Sequence, residues 1–350
     1  MAQISACCSD PLDHALDLIF VHNGGMDATR PTLQDIQTAA GRIAPHVHRT
    51  PVMTCGAIDS VTGRKIFMKC ENLQKVGAFK ARGACNAVMG LDDETAARGV
   101  VTHSSGNHAQ ALAWAAALRG IPAHIVMPTN APEVKRRGVI GYGGIVHDCK
   151  PTVEDREFNA DRVCRETGGT LIPPYDDPRI IAGQGTIALE LMGQVPDLDA
   201  VIAPVGGGGM LSGVAIATRG LSSKTRVFAA EPHHADDAYR SMASGRIEPM
   251  PSPDTMADGL RTTLGEHTFP VISDLVEEVL LVSEAEIASA MRLVMERAKL
   301  VVEPSAVVGI AAACQAAFKS RPDLERVGVV LSGGNFDLMN LANLLSVAES

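Results

Sequence analysis

Residues 99–127 read GVVTHSSGNHAQALAWAAALRGIPAHIVM. Gly99-Val100-Val101-Thr102 is a short apolar run with β-branched residues, which suits a pleated, buried strand. Ala109 to Arg119 is dense in Ala and Leu, the residues that lose least on entering a helix. His124-Ile125-Val126-Met127 is apolar again. Strand, helix and strand at this spacing form a crossover unit whose two strands run parallel. The same alternation extends outward. Lys65–Lys69 reads as a strand, a helix starts near Ala131-Pro132-Glu133, Gly144–His147 reads as a strand, and Val153–Thr167 as a helix. Further on, Ala200–Val205, Arg226–Ala230 and Val327–Leu331 are buried-type strands. Toward the N-terminus, Thr32 precedes a helical pattern of Leu33, Ile36, Ala39, Ala40 and Ile43. Apolar strands alternating with helices predict an α/β fold, with open, twisted, mostly parallel sheets covered by helices.

The bulk composition narrows the function classes. The chain has 350 residues, 46% hydrophobic and 20% charged, enough for two domains with buried cores. Net charge is −9, and no basic stripe is interleaved with aromatics, which excludes nucleic acid as the expected partner. Lys135-Arg136-Arg137 is the longest basic cluster and reads as a solvated helix face. The eight cysteines show no CxxC pair and no zinc-ligand spacing, so free thiols in a reducing compartment are expected, with cytoplasm as the location. No apolar run is long enough to span a bilayer, and the acidic N-terminus lacks a basic n-region. Residues 1–25 read as an appended tail outside the fold, with Met26 an alternative start.

Four motifs carry chemistry. Gly77-Ala78-Phe79-Lys80-Ala81-Arg82-Gly83 sets a lysine among small residues. His103-Ser104-Ser105-Gly106-Asn107-His108 ends a strand and opens a helix, whose first amides can hold an anion such as a carboxylate; an ordinary capped helix start is the bland alternative. Gly206-Gly207-Gly208-Gly209 follows a strand, and four unobstructed backbone N–H groups at a helix start form a phosphate cradle. No Gly-Lys-Ser/Thr follows, so it is not the nucleotide-binding P-loop. Ser332, in Leu331-Ser332-Gly333-Gly334-Asn335, faces a ring nitrogen or serves as a turn residue. An amine, a phosphate cup and an anion loop are what pyridoxal phosphate and an amino-acid substrate require.

The ordered motifs KCENLQKVGAFKARGA, THSSGNHAQALA, AGQGTIALE, PVGGGGMLSG, ADGL, VVEPSA and VLSGGN span about Asp35 to Leu341. In them the chain resembles the serine/threonine dehydratase and serine racemase family of fold-type II (tryptophan-synthase-β-like) pyridoxal-phosphate enzymes. Within that family it is most similar in wording to the serine racemase and 3-hydroxyaspartate dehydratase type. The resemblance implies two domains, a large one of residues 26–96 and 178–350 and a small mobile one of residues 97–177, with the cofactor in the cleft between them. It implies that Lys80 holds the cofactor as a Schiff base and acts as acid/base on one substrate face, that Phe79 packs beside the ring, and that Asn107 meets the ring hydroxyl. Gly206, Gly207, Gly208, Gly209 and Met210 would hold the phosphate, and Ser332 the pyridine nitrogen. Ser104, Ser105 and Asn107 would receive the substrate carboxylate, and Ser105 would be the acid/base on the face opposite Lys80. A divalent cation, Mg²⁺ or alternatively Ca²⁺ or Mn²⁺, would sit on Glu231, the Ala235 carbonyl and Asp237; on spacing alone this is a solvated acidic turn, and His233 and His234 read as exposed. A homodimer is implied, and no C-terminal regulatory domain follows Ser332, so feedback by isoleucine is not expected. The expected activity is dehydration of serine, threonine or 3-hydroxyaspartate to a 2-oxo acid and ammonia, with serine or aspartate racemisation by Lys80 and Ser105 as the alternative. A second substrate carboxylate would need a cation, and Arg156 is the candidate, against the plainer reading of a surface arginine paired with a nearby acid. His147, Lys150 and Arg179 are further candidates.

Overall fold

The computed structural model describes residues 30–347, apart from Pro132 and Pro251. The expectations for residues 1–25 and Met26 lie outside the described residues, as do Cys7 and Cys8. Among the described residues, ten strands form two sheets. They are β1 (Val52–Met53), β2 (Lys65–Cys70), β3 (Val100–His103), β4 (Ala123–Pro128), β5 (Ile145–Cys149), β6 (Thr170–Leu171), β7 (Ala200–Pro204), β8 (Arg226–Pro232), β9 (Glu278–Val282) and β10 (Arg326–Leu331). The larger sheet has the order β1-β2-β10-β7-β8-β9 and the smaller β5-β4-β3-β6. Every pairing is parallel except β1 with β2. Strands such as β7, buried at every position, need helices on both faces, and the chain supplies them.

Local chemistry sets the helix ends. Thr32 and Asp35 form a reciprocal capping box before the Leu33–Ile43 helix. Thr152 caps Val153–Thr167, and Gly168 ends it in the left-handed conformation at φ +71°. Asp177 caps Pro178–Gln194, with proline in the first turn, where its missing N–H costs nothing.

The Lys80–Met89 helix is anchored by charge. Arg82 is fully buried and donates to Glu71 (2.7 Å from Nε, 2.8 Å from a terminal nitrogen) and to Glu190 (2.8 Å). Lys69 of β2, also buried, donates to Glu190 at 2.7 Å and to the Thr50 carbonyl at 2.8 Å. Thr50 Oγ1 donates to Glu71 at 2.6 Å. Two cations meet two carboxylates, so the buried cluster carries no net charge and joins β2, the Lys80 helix and the Pro178–Gln194 helix. The basic run differs from expectation: Lys135 pairs with Asp258 and Arg136 with Asp148, both largely buried, and of the three only Arg137 is mostly exposed. The six described cysteines are all free. Among the described residues no helix is long and apolar enough to cross a membrane.

Candidate active site

The site lies where strand C-termini of the two sheets face one another, the usual ligand crevice of parallel sheets. Before Lys80 the chain kinks: Val76 and Gly77 take positive φ of 54° and 70°. A Cβ at Gly77 would come within 2.5 Å of Asn335 Oδ1, so only glycine fits. The Phe79 amide then donates to the Ser332 carbonyl at 3.0 Å, tying the start of the lysine helix to the end of β10. Lys80 Nζ donates to the Pro174 carbonyl at 2.5 Å and lies 5.1 Å from the Phe79 ring centroid. Burial lowers its pKa to about 8, against the opposing pull of the Glu303 charge. At pH 7 Lys80 is still mostly protonated, but about a tenth of it is the free amine, the form that attacks carbonyls and takes protons, far more than for an ordinary lysine.

β7 and β10 are neighbours in the sheet, so Ser332, buried just past β10, and the loop after β7 emerge side by side. That loop is the glycine run. Gly208 has φ +89°, and the Gly209–Leu221 helix begins at once. A Cβ at Gly207 would run into the Tyr175 ring, one at Gly209 would lie 2.6 Å from the Tyr175 carbonyl, and one at Gly206 would lie 3.0 Å from Leu260 Cα. The loop therefore presents bare backbone N–H groups at a helix start, with buried Met210 next. This cradle and the adjacent lysine amine fit pyridoxal phosphate: the glycines can hold its phosphate and Lys80 its aldehyde.

The third wall comes from the smaller sheet. After β3, the Ser104 amide donates to the Val126 carbonyl at 3.2 Å, and the Gly106 amide to Ser104 Oγ at 3.3 Å. Gly106 caps the Asn107–Arg119 helix with no side-chain cap, leaving its first amides for an anion. Ser105 and Asn107 are half-buried there. Asn107 Nδ2 donates to the Glu303 carboxylate (3.0 and 3.2 Å) and its Oδ1 accepts from Asn335 Nδ2 at 3.0 Å. Burial, then repulsion from Asp258, raises the Glu303 pKa to about 7. His108 is buried and kept neutral, its pKa lowered to about 3 by burial, with Nε2 3.1 Å from the Ile172 carbonyl.

Thus Lys80, the glycine loop, Ser332, Ser104, Ser105 and Asn107 converge. The strap Pro174–Asp177 closes the set: Pro174 holds Lys80, Tyr175 lies on the glycine loop, and Asp176 accepts from the Glu266 and His267 amides at 2.9 Å each. Arg156 sits in the first turns of the Val153–Thr167 helix. Among the described residues its guanidinium has no acid partner, its Nε is buried without a hydrogen bond, and its charge acts on His103 beside the serine loop. Arg179, by contrast, is spent on Asp177 (2.6 Å), Lys150 is exposed, and His147 faces another histidine. Sequence reasoning quoted Glu303 and Asn335 within the motifs VVEPSA and VLSGGN but gave them no role, and it did not single out Tyr175. An acid inside the apolar run Val301-Val302-Glu303-Pro304 was the one available signal.

Glu231 accepts from the Ala238 and Tyr239 amides (3.0 and 2.9 Å), and Asp237 Oδ2 from the Leu264 amide (2.9 Å). Asp237 Oδ1 is buried without a partner. Burial raises both pKa values, to about 9 and about 7, while His233 and His234 are exposed.

A family model described as pyridoxal-phosphate-dependent enzyme matches residues 43–333. Serine racemase of Dictyostelium discoideum is 49% identical over 317 residues, 90% of this chain and 98% of that protein. The β-hydroxyaspartate dehydratase of Paracoccus denitrificans is also 49% identical, over 89% of this chain and 98% of its own. The solved structure of maize serine racemase superposes with a TM-score of 0.88 at 49% identity, covering 89% of this chain and 96% of that one.

Proposed function

The chain belongs to the family of pyridoxal-phosphate-dependent enzymes, and from that membership we propose that it is a dehydratase converting a small β-hydroxy amino acid to a 2-oxo acid and ammonia, with 3-hydroxyaspartate preferred over serine and threonine. Bound pyridoxal phosphate supplies an electron sink for the pair left when a Cα–H bond breaks. The chain's own residues do the rest. Gly206, Gly207, Gly208, Gly209 and Met210 would hold the phosphate, Phe79 would pack beside the ring, Asn107 would meet its hydroxyl and Ser332 its nitrogen. Ser104, Ser105 and Asn107 bind the α-carboxylate. Lys80, its pKa lowered by burial, would in its free-amine form remove the Cα proton; the β-hydroxyl would then leave as water, taking up a proton, and the released enamine would hydrolyse to the 2-oxo acid and ammonia.

The observation that carries the substrate preference is Arg156. A half-buried guanidinium with no acid partner, close to the loop that receives the α-carboxylate, suits a second carboxylate, which it can grip through two parallel hydrogen bonds. A substrate lacking that group leaves the charge unpaired. The test is kcat/KM for each 3-hydroxyaspartate isomer, L-serine and L-threonine, in wild type and Arg156→Ala. One hydroxyaspartate isomer should exceed L-serine by at least about tenfold, and Arg156→Ala should erase that ratio. If no isomer exceeds L-serine, the preference is wrong.

Racemisation is the second reading, supported by similarity to serine racemases and by the half-buried Ser105. Both reactions begin with loss of the same Cα proton. For the cation, Mg²⁺ with Ca²⁺ or Mn²⁺ as alternatives, Glu231, Asp237 and the Ala235 carbonyl are the proposed ligands. The unpartnered, buried Asp237 Oδ1 supports this, since a buried carboxylate oxygen without a donor is costly unless a cation or proton meets it. A homodimer, a cytoplasmic location and closure of residues 97–177 over the substrate complete the proposal.

A further inference from the structure

His147 lies on β5, the edge strand of the smaller sheet, and meets His124 of β4. His124 Nδ1 is 3.0 Å from His147 Nε2, and the ring centroids are 5.3 Å apart. The sheet register pairs Val126 with His147. His124, two residues before Val126, points to the same face and is the diagonal neighbour of His147. Val126 and Cys149, on that face, are buried against Ala160 and Val163 of the Val153–Thr167 helix. The spacing of the two rings is therefore set by paired backbone rather than by a loop. Both rings are half-buried. Burial lowers both pKa values, helped on His124 by His147 and on His147 by Arg162.

We infer that His124 and His147 form a transition-metal site that takes one Cu²⁺ or Ni²⁺ across β4 and β5. Metal–imidazole bonds are about 2.0–2.1 Å long. Two nitrogens 3.0 Å apart then subtend about 90° at the ion. That angle belongs to square-planar and octahedral coordination, which Cu²⁺ and Ni²⁺ favour, and is too narrow for tetrahedral Zn²⁺. Without an ion, one ring donates its N–H to the other. On binding, that proton moves to the second nitrogen of its own ring, so both facing nitrogens offer lone pairs and no net proton is released. Glu166 and Arg162 act on His147, but they are bonded to each other at 2.9 and 3.0 Å and largely cancel. Among the described residues no cluster of three or more His, Cys, Asp or Glu is arranged for a metal, so water completes the coordination and the ion exchanges. The site is separate from the oxygen ligands proposed at Glu231 and Asp237, which suit a hard cation.

The test uses the holoenzyme in saturating Mg²⁺. Ni²⁺ binding is measured by equilibrium dialysis, and Cu²⁺ binding by electron paramagnetic resonance. One ion per chain is expected, with superhyperfine splitting from two nitrogens in the wild type. Affinity should fall at least about tenfold in His124→Gln and in His147→Gln, and in wild type it should weaken steadily as pH is lowered, because protons compete with the ion for the imidazole nitrogens. Glu231→Gln should leave it unchanged. Equal Ni²⁺ affinity in wild type and both variants, or a Cu²⁺ spectrum without two-nitrogen splitting, overturns the site. The wild-type spectrum and pH dependence decide the matter even if a variant fails to fold.

Discussion

At the scale of single residues, Glu303 and Ser105 give the sharpest tests. The Glu303 carboxyl titrates near 4.5 in an unfolded chain and at about 7 when folded. Between those values the folded state binds more protons, so this group's contribution to stability falls as pH rises through the window. Glu303→Gln cannot titrate, so its melting temperature minus that of wild type should climb from about pH 5 to about pH 8; a flat difference would mean an ordinary carboxyl. Ser105→Ala should cut racemisation and any D-substrate elimination by about 10²–10⁴-fold, the worth of a positioned acid/base. L-substrate elimination, served by Lys80, should fall less; equal losses for both enantiomers would mean that Ser105 only positions the substrate. Lys80 and the glycine run were readable because their chemistry leaves a local mark: a lysine amid small residues, four glycines after a strand. Glu303 was not, because its partner Asn107 lies 196 positions away and only tertiary packing creates its burial.

At the scale of elements, the Val153–Thr167 helix was readable to its ends because Thr152 and Gly168 punctuate it. β1 and β6, two residues each, carry no period to read, and β9, though five residues long, lies at the edge of the larger sheet. The tightest junction joins the Pro178–Gln194 and Gly209–Leu221 helices, where a Cβ at Gly213 would collide with the Ile181 carbonyl and lie 2.5 Å from the Gly185 amide nitrogen. Small residues there let two backbones touch, and both helices lead away from the site. Gly213→Ala should therefore destabilise by about 1–3 kcal/mol, the usual penalty of overpacking. Gly41→Ala, in the Leu33–Ile43 helix with open space where its Cβ would go, should instead stabilise by about 0.5–1 kcal/mol. Thermal melts of the two variants check the opposite signs.

At the scale of the whole molecule, alternating strands and helices made the α/β architecture readable, while the strand order, with β10 beside β2 and β7, depends on long-range pairing that no local pattern encodes. That order is what brings Ser332 beside the glycine loop. The proposed cation at Glu231 and Asp237 lies at the C-terminal end of β8 in the same sheet, so its removal should loosen the large sheet as a body. Chelation should lower the melting temperature by several degrees and reduce turnover, and Mg²⁺ should restore both, since an ion at about 100 times its Kd adds about 2.7 kcal/mol. An unchanged melt after chelation, with no metal found by elemental analysis, counts against the site. The neutral cluster of Lys69, Glu71, Arg82 and Glu190 bears on how this chain can change over generations. Replacing any one member strands an opposite charge in the interior at about 3–5 kcal/mol, a large share of the 5–15 kcal/mol that typically separates folded from unfolded protein. Four positions scattered over 122 residues thus behave as one heritable character: drift can exchange them in charge-balanced pairs, while single steps are purged before they reach the lysine two residues upstream of Arg82.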